Sequence, residues 1–438
     1  MSFRLPVGFW KTFAAETWDQ QPRVFKNLFD GRLLIPTEEL FRVVADEQAQ
    51  YAQVAGDWMK PRISRLIIDK GEVVLRLPYM PRHEDGSFEG WTQRLYKELP
   101  GRGFLFHMQR LQSRSRLMFD RYRQFTDGLF EQIGLPSYRV DADMFAGDYS
   151  ETFFGVHKDL AGNFAIILTG RKRMLLWPYE TLLPYVTGNL DPSNLDFTLQ
   201  LRSMKEIREP PIVLDGEPGD VFYWPGRFWH CAQGNGALSI TTNLAVYHTS
   251  NPLADSFPEK VFEVLGPAIS DSMAPTPFEP ARRQELASAV PETLRGATAH
   301  VVEGLRKLVE GGFFEREMEL TWLRYVSGGG YTIVHPPATG VVLDDSQAMK
   351  LLPEAGLVWR KLSSGEIGVS SNGLSECFPE SRGLVETLHR LAGGGAHRVG
   401  ALLEEVVEER QGDKVVWSRE HLRALLTTLA SQHALVRA

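Results

Sequence analysis

Three side chains in this 438-residue chain are of the types that hold a divalent metal. They are His157 and Asp159, in the stretch FFGVHKDLAG, and His230, in RFWHCAQ. A His and an acid two residues apart project from the same side of an extended chain. Two imidazoles and one carboxylate form a facial donor set for Fe(II) that leaves three positions open. His230 lies far from the pair in sequence, so tertiary structure must bring it in. Plainer readings stand beside this one. An HxD on a hairpin can be a surface pair, and a lone His beside Trp229 can be a packed core residue.

Lys172 narrows the choice. In RKRMLLW, alternation puts Lys172, Met174 and Leu176 on one face and Arg171, Arg173, Leu175 and Trp177 on the other. If the apolar face points inward, the ammonium goes with it, and a buried cation requires an anion. A dicarboxylate that chelates the metal at one end and meets Lys172 at the other would supply one, which is the binding mode 2-oxoglutarate needs. A lysine at a strand edge can instead snorkel to water. Alternation points Cys231 away from the side that His230 faces, a packing position, and Asp220 in PGD reads as turn chemistry.

The elements around these residues read as short strands. RLIID, VVLRL, FAIILT, RMLLWP, DVFYWP and ALSITTNLAVYH are strand-like, punctuated by Gly and Pro, which suggests an antiparallel sandwich or barrel. GFWKTFAAETW and TEELFRVVADEQAQ read as helices, and QPRVFKNLF as a strand between them. Aromatic residues gather at Phe222, Tyr223, Trp224, Phe228 and Trp229, suited to a core or a shielded pocket. From about 252 the texture is helical, in KVFEVLGPAIS, RQELASAV and TAHVVEGLRKLVEGGFFEREMELTWLRYV, and SGGGY closes that block. The strand pair LVWRKLSSGEIGVSSNG follows, then helix candidates SRGLVETLHRLAGG, HRVGALLEEVVEER and SREHLRALLTTLASQHALV. That is a winged-helix texture.

The charge balance is 48 basic against 55 acidic residues, a formal net charge of -7, and no basic face marks the C-terminal block. This argues against direct nucleic-acid binding, which clustered Lys and Arg would carry. Two cysteines exclude a disulfide framework and a cysteine-rich zinc site. The stretch MSFRLPVGFWKTF lacks the long apolar core and small-residue cleavage site of a secretory signal, and no run nears the roughly 18 apolar residues of a membrane span, so a cytoplasmic location is expected.

HxD, a lysine in GRKRM fifteen residues after the His, PGD…WH, and a following strand with Asn243 together resemble the JmjC/cupin-type 2-oxoglutarate oxygenases. The opening FWKTFAAETWDQQPRVFKNLF, the helical block and the GEIGVSSNG strand pair resemble the ribosomal oxygenases within that group. The resemblance implies a mixed α+β chain. A double-stranded β-helix (jelly-roll/cupin) core would span 1–250, a helical linker and dimerisation region 251–340, and a winged-helix-like domain 341–438. It implies His157, Asp159 and His230 as ligands of catalytic Fe(II), Lys172 on the distal carboxylate of 2-oxoglutarate, and Asn163 and Asn243 beside the cosubstrate. It departs from the pattern at Phe154, where relatives carry a hydroxyl residue. Tyr149, Ser150 or Thr152 are the candidates to compensate.

The implied activity is a 2-oxoglutarate-dependent dioxygenase that consumes O2 and yields succinate and CO2. It would hydroxylate a protein or peptide side chain, a ribosomal-protein Arg or His first among them, as a homodimer. Two alternatives stay open. One is hydroxylation of a peptide natural product or small molecule, and the other a non-catalytic cupin-like scaffold.

Overall fold

The computed structural model describes residues 3–53, 64–68, 72–74, 77–137, 139–152, 155–186, 197–198, 207–247 and 292–438. KVFEVLGPAIS, RQELASAV and Phe154 lie outside the described residues. The chain divides into two compact units, Met1–Thr249 with Gly329–Pro336, and Ser250–Gly328 with Pro337–Ala438.

The first unit is built on thirteen described strands, all paired antiparallel. They are β1 (Arg23–Phe25), β2 (Ser64–Ile68), β3 (Glu72–Val74), β4 (Phe104–Met108), β5 (Val140–Asp148), β6 (His157–Lys158), β7 (Ala161–Thr169), β8 (Lys172–Pro178), β9 (Phe197–Thr198), β10 (Ile212–Gly216), β11 (Val221–Trp224), β12 (Phe228–Gln233) and β13 (Ser239–Tyr247). The larger sheet runs β1-β11-β7-β13-β5-β4-β2-β3 and the smaller β10-β8-β12-β6-β9.

Period-two alternation divides each strand between two environments. On β7, Phe164, Ile166 and Leu168 join the main core, and Ala165 and Ile167 join a second cluster with Met174, Leu176, Phe222 and Trp224. The main core packs the larger sheet under α1 (Phe9–Glu16), α2 (Thr37–Gln53), α3 (Phe88–Glu98) and α4 (Arg116–Ile133), using Trp10, Phe13, Leu40, Val44, Trp91, Leu95, Tyr122 and Phe125. A further cluster, with Leu175, Trp177, Trp229 and Cys231, covers the other face of the smaller sheet.

Sequence reading placed α1 and α2 but missed α3 and α4. It also overextended three segments. QPRVFKNLF pairs only over Arg23–Phe25, because Asn27 and Asp30 turn the chain with positive φ. Of VVLRL, Val73 and Val74 are strand and Leu77 opens a 3-10 turn, Leu77–Tyr79, while 75–76 lie outside the described residues. HRVGALLEEVVEER is helical only over Val399–Glu404, and Glu409–Gln411 instead pairs with Lys414–Trp417.

In the second unit, helices Glu292–Glu310 and Phe313–Ser327 are separated at Gly311 and Gly312, the latter at φ 66°. Three strands, Val358–Lys361, Ile367–Ser371 and Leu374–Phe378, form one sheet, and Ala348–Leu351, Ala396–Arg398 and Leu435–Arg437 another. Helices Arg382–Ala392 and Arg419–Ser431 bury Leu384, Leu388, Leu422, Leu425, Leu426 and Leu429 in one core. Ser381 and Ser418 cap their first turns, accepting from Leu384 N and His421 N. No helix among the described residues is long and apolar enough to cross a membrane.

Candidate metal and cosubstrate site

β6 and β12 pair so that His157 sits directly opposite His230. Opposed residues on antiparallel strands are the nearest cross-strand neighbours, so the two rings meet at 4.3 Å between centroids. Asp159 follows two residues after His157, and its Oδ2 lies 3.4 Å from His230 Nε2. One ligand atom from each of the three lies within 4.8 Å of the other two.

Backbone carbonyls set the rings. His157 Nδ1 donates to Gly155 O at 3.1 Å, and His230 Nδ1 to Phe228 O at 3.3 Å. A carbonyl only accepts, so each neutral ring carries its proton on Nδ1 and offers the Nε2 lone pair. Burial, then the neighbouring His157, push the His230 imidazole down to about 4, against the opposing pull of Asp159. Near neutral pH no proton competes for its nitrogen. Asn163 donates from Nδ2 to Asp159 Oδ2 at 3.2 Å and to Ala161 O at 2.9 Å. The buried amide thereby aims the carboxylate.

These residues face a cavity of about 330 Å³ lined from both sheets. Lys172 also faces it, from the start of β8, with only 6% of its surface exposed. Among the described residues no carboxylate pairs with Lys172. Its ammonium donates to the hydroxyl of Tyr149, which lines the same cavity, as does Thr152. Asn243 lies across from Asp143 on β5 and Ala165 on β7. Its Oδ1, like Trp224 Nε1, is buried without a partner among the described residues. Buried polar atoms without partners, and an ammonium without a carboxylate partner among the described residues, fit a polar, anionic occupant. The two-His, one-carboxylate donor set fits Fe(II).

Other residues fall where packing uses them. Cys231 faces the cluster away from the cavity, and burial pushes its thiol up to about 12. Asp220 accepts from Asn27 N, Glu217 N and Lys26 Nζ, anchoring the turn before β11. Of the aromatic cluster only Trp224 lines the cavity. Sequence reasoning missed a polar group on the same cavity wall. Arg65 Nε donates to His107 Nδ1 at 3.2 Å, and His107 Nε2 lies 3.2 Å from Asp143 Oδ2, with Asp141 one pleat along. Burial raises the Asp141 carboxyl, and Arg139 opposes the rise. The alternation in VDADMF could have shown that Asp141 and Asp143 share a face.

Residues 120–251, which hold the His-Asp-His cluster, match the family model for a cupin-like domain. Over its whole length the chain resembles the X-ray structure of E. coli YcfD, with 16% identity, TM-score 0.52 and full coverage of both chains. A second structure, YcfD as a ribosomal oxygenase from Escherichia coli in complex with cobalt and 2-oxoglutarate, gives 16% identity, TM-score 0.48 and 99% coverage of each chain. At this identity the likeness is one of fold. No curated protein sequence matches the chain.

Proposed function

We propose that this chain is an Fe(II)- and 2-oxoglutarate-dependent hydroxylase of a protein or peptide side chain, with a ribosomal-protein Arg or His as the first substrates to try. One observation carries the reading. The His157–Asp159–His230 cluster and a buried lysine without a carboxylate partner among the described residues face one cavity. Such a metal and cosubstrate, when bound, supply O2 activation coupled to decarboxylation, with succinate and CO2 as products.

The chain's own residues supply the rest. His157, Asp159 and His230 would hold the metal on one face. Asn163 keeps the Asp159 carboxylate turned toward His230. Lys172 would neutralise the distal carboxylate, and Asn243 would offer its unpartnered Oδ1 beside the cosubstrate. Asp141 and Asp143 on the cavity wall support a basic substrate group. We further propose a cytoplasmic homodimer through the 251–340 region and a winged-helix-like C-terminal domain at 341–438. Exposed Val302, Val309, Met318 and Trp322 support the dimer.

The test is succinate formation from 2-oxoglutarate by anaerobically purified, Fe(II)-loaded protein on exposure to air, with Asp159→Ala beside it. Succinate from the wild type alone is expected. A wild type that binds neither Fe(II) nor 2-oxoglutarate would sink the reading and leave the scaffold alternative.

A further inference from the structure

We propose that Trp224 is a positioning residue of the metal centre, its Nε1–H donating to an oxygen held at an open position of the metal. The inference rests on the function proposed above and adds to the centre a residue outside its three ligands.

The indole is 2% exposed, and its Nε1 has no hydrogen-bond partner among the described residues. Three other buried indoles of the chain are satisfied. Trp91 donates to Tyr79 O at 2.9 Å, Trp177 to Glu209 O at 2.9 Å and Trp229 to Tyr179 O at 3.0 Å. A buried indole N–H normally finds an acceptor, because leaving it bare forfeits its hydration without return. At Trp224 the acceptor is one that arrives with a ligand.

The surroundings show which ligand. Trp224 ends β11 directly opposite Asn163 on β7, so the two side chains share the sheet face that lines the cavity. Asn163 holds Asp159 Oδ2, and the indole lies 5.1 Å from the His230 ring, tilted by 51°. Trp224 therefore stands beside two of the three ligands. Its cluster neighbours Ala165, Leu176 and Phe228 bring no side-chain acceptor. The turn that leads from Trp224 to His230 is fixed as well. Phe228 N donates to Pro225 O at 3.1 Å, and a Cβ on Gly226 would lie 2.9 Å from Ala161 O, so the turn sits on the segment that follows Asp159. A metal with three protein ligands keeps further positions open, and a water bound there loses a proton readily and becomes a good acceptor. A donor beside His230 fixes which position such an oxygen takes.

The experiment follows the indole N–H signals of the full chain, isotope-labelled at its ten tryptophans, by nuclear magnetic resonance at mildly alkaline pH. Zn(II) is the diamagnetic probe. The Trp224 signal is the one absent from Trp224→Phe, a change that keeps an aromatic ring and removes the donor. In the wild type this signal should move downfield on Zn(II) addition, as a newly donated N–H does. Paramagnetic Mn(II) should broaden the same signal away, which picks it out even if the variant fails to fold. By calorimetry, Trp224→Phe should bind Zn(II) roughly tenfold more weakly than wild type. Zn(II) binding that leaves the Trp224 signal unmoved overturns the proposal, as does a folded Trp224→Phe with wild-type Zn(II) affinity, and the functional reading survives both. A wild type that takes up neither Zn(II) nor Mn(II) removes the functional reading itself.

Discussion

Lys172 has 6% of its surface exposed and a phenol as its hydrogen-bond partner, so its charge is costly until an anion arrives. Two opposite consequences follow for one substitution. Lys172→Met removes a buried charge and keeps an apolar stem, so it should stabilise the ligand-free protein by on the order of 1 kcal/mol. The same change should raise the 2-oxoglutarate concentration for half-saturation at least about tenfold. Thermal unfolding with and without 2-oxoglutarate reads both at once, because the ligand-induced rise in Tm should vanish. A variant that is less stable than wild type yet still gains from 2-oxoglutarate would show that the lysine is structural. At the metal, His230→Ala should remove Mn(II) binding, measured by calorimetry, with the far-ultraviolet circular dichroism kept. That His157 and Asp159 face the same way was legible in the sequence, because residues two apart on an extended chain share a side, and the structure brings both together with His230. The partners of Lys172, Asp143 and Asn243 were not, since strand register and not residue type decides which neighbour faces which.

Elements carry the site through close backbone approaches, and there the sequence is less transparent. Gly234 sits 2.1 Å, by its would-be Cβ, from the carbonyl of Tyr149, so Gly234→Ala must push the chain at Tyr149 away. The expected result is a loss of a few kcal/mol in urea unfolding together with weaker 2-oxoglutarate binding. Normal cosubstrate affinity in a destabilised variant would separate that contact from the site. On the far face, Arg94 of α3 grips Asp85 with Nε–Oδ1 at 2.6 Å and Nη2–Oδ2 at 2.7 Å, and also holds Pro78 O and Met80 O. Burial works against the Asp85 carboxylate, but its bonds to Arg94 and Arg82 N win, and its pKa is held below the usual range. A depressed carboxylate adds stability above its unfolded value near 4 and loses it as pH falls through the folded value. Arg94→Ala should therefore cost on the order of 3 kcal/mol at pH 7 and much less near pH 2, by urea unfolding. Strands β7, β8, β11 and β13 were legible as short apolar runs rich in β-branched and aromatic residues between Gly and Pro breaks. Helices α3 and α4 were not, because charged residues such as Glu89, Arg94, Arg121 and Arg123 interrupt the apolar runs that catch the eye. In VVEERQGDKVVW, Gly412 at φ 63° makes a hairpin of what reads as a helix end.

For the whole molecule, the helices Glu292–Glu310 and Phe313–Ser327 each present exposed apolar side chains. Val302, Leu305 and Val309 recur at helical spacing on the first and remain exposed, Val309 by 63%. On the second, Met318 and Trp322 are one turn apart, with Trp322 52% exposed and stacked on Tyr325. Its opposite side is already used, since Leu320 and Leu323 pack with Leu362. Apolar side chains that recur on one helix face beyond the needs of the core mark an interface. A second copy of the chain is the occupant proposed above, so the full chain should sediment as a dimer at micromolar concentration. Val309→Glu combined with Trp322→Glu places two carboxylates in that face, and burying unpaired charge should drive the protein to monomer. The His-Asp-His cluster and Lys172 belong to the first unit, Met1–Thr249 with Gly329–Pro336. Calorimetric 2-oxoglutarate affinity should therefore be the same in the monomeric variant as in wild type. A double variant that stays dimeric in the ultracentrifuge would place the dimer contact elsewhere. A monomer that has lost 2-oxoglutarate would make assembly a condition of the site.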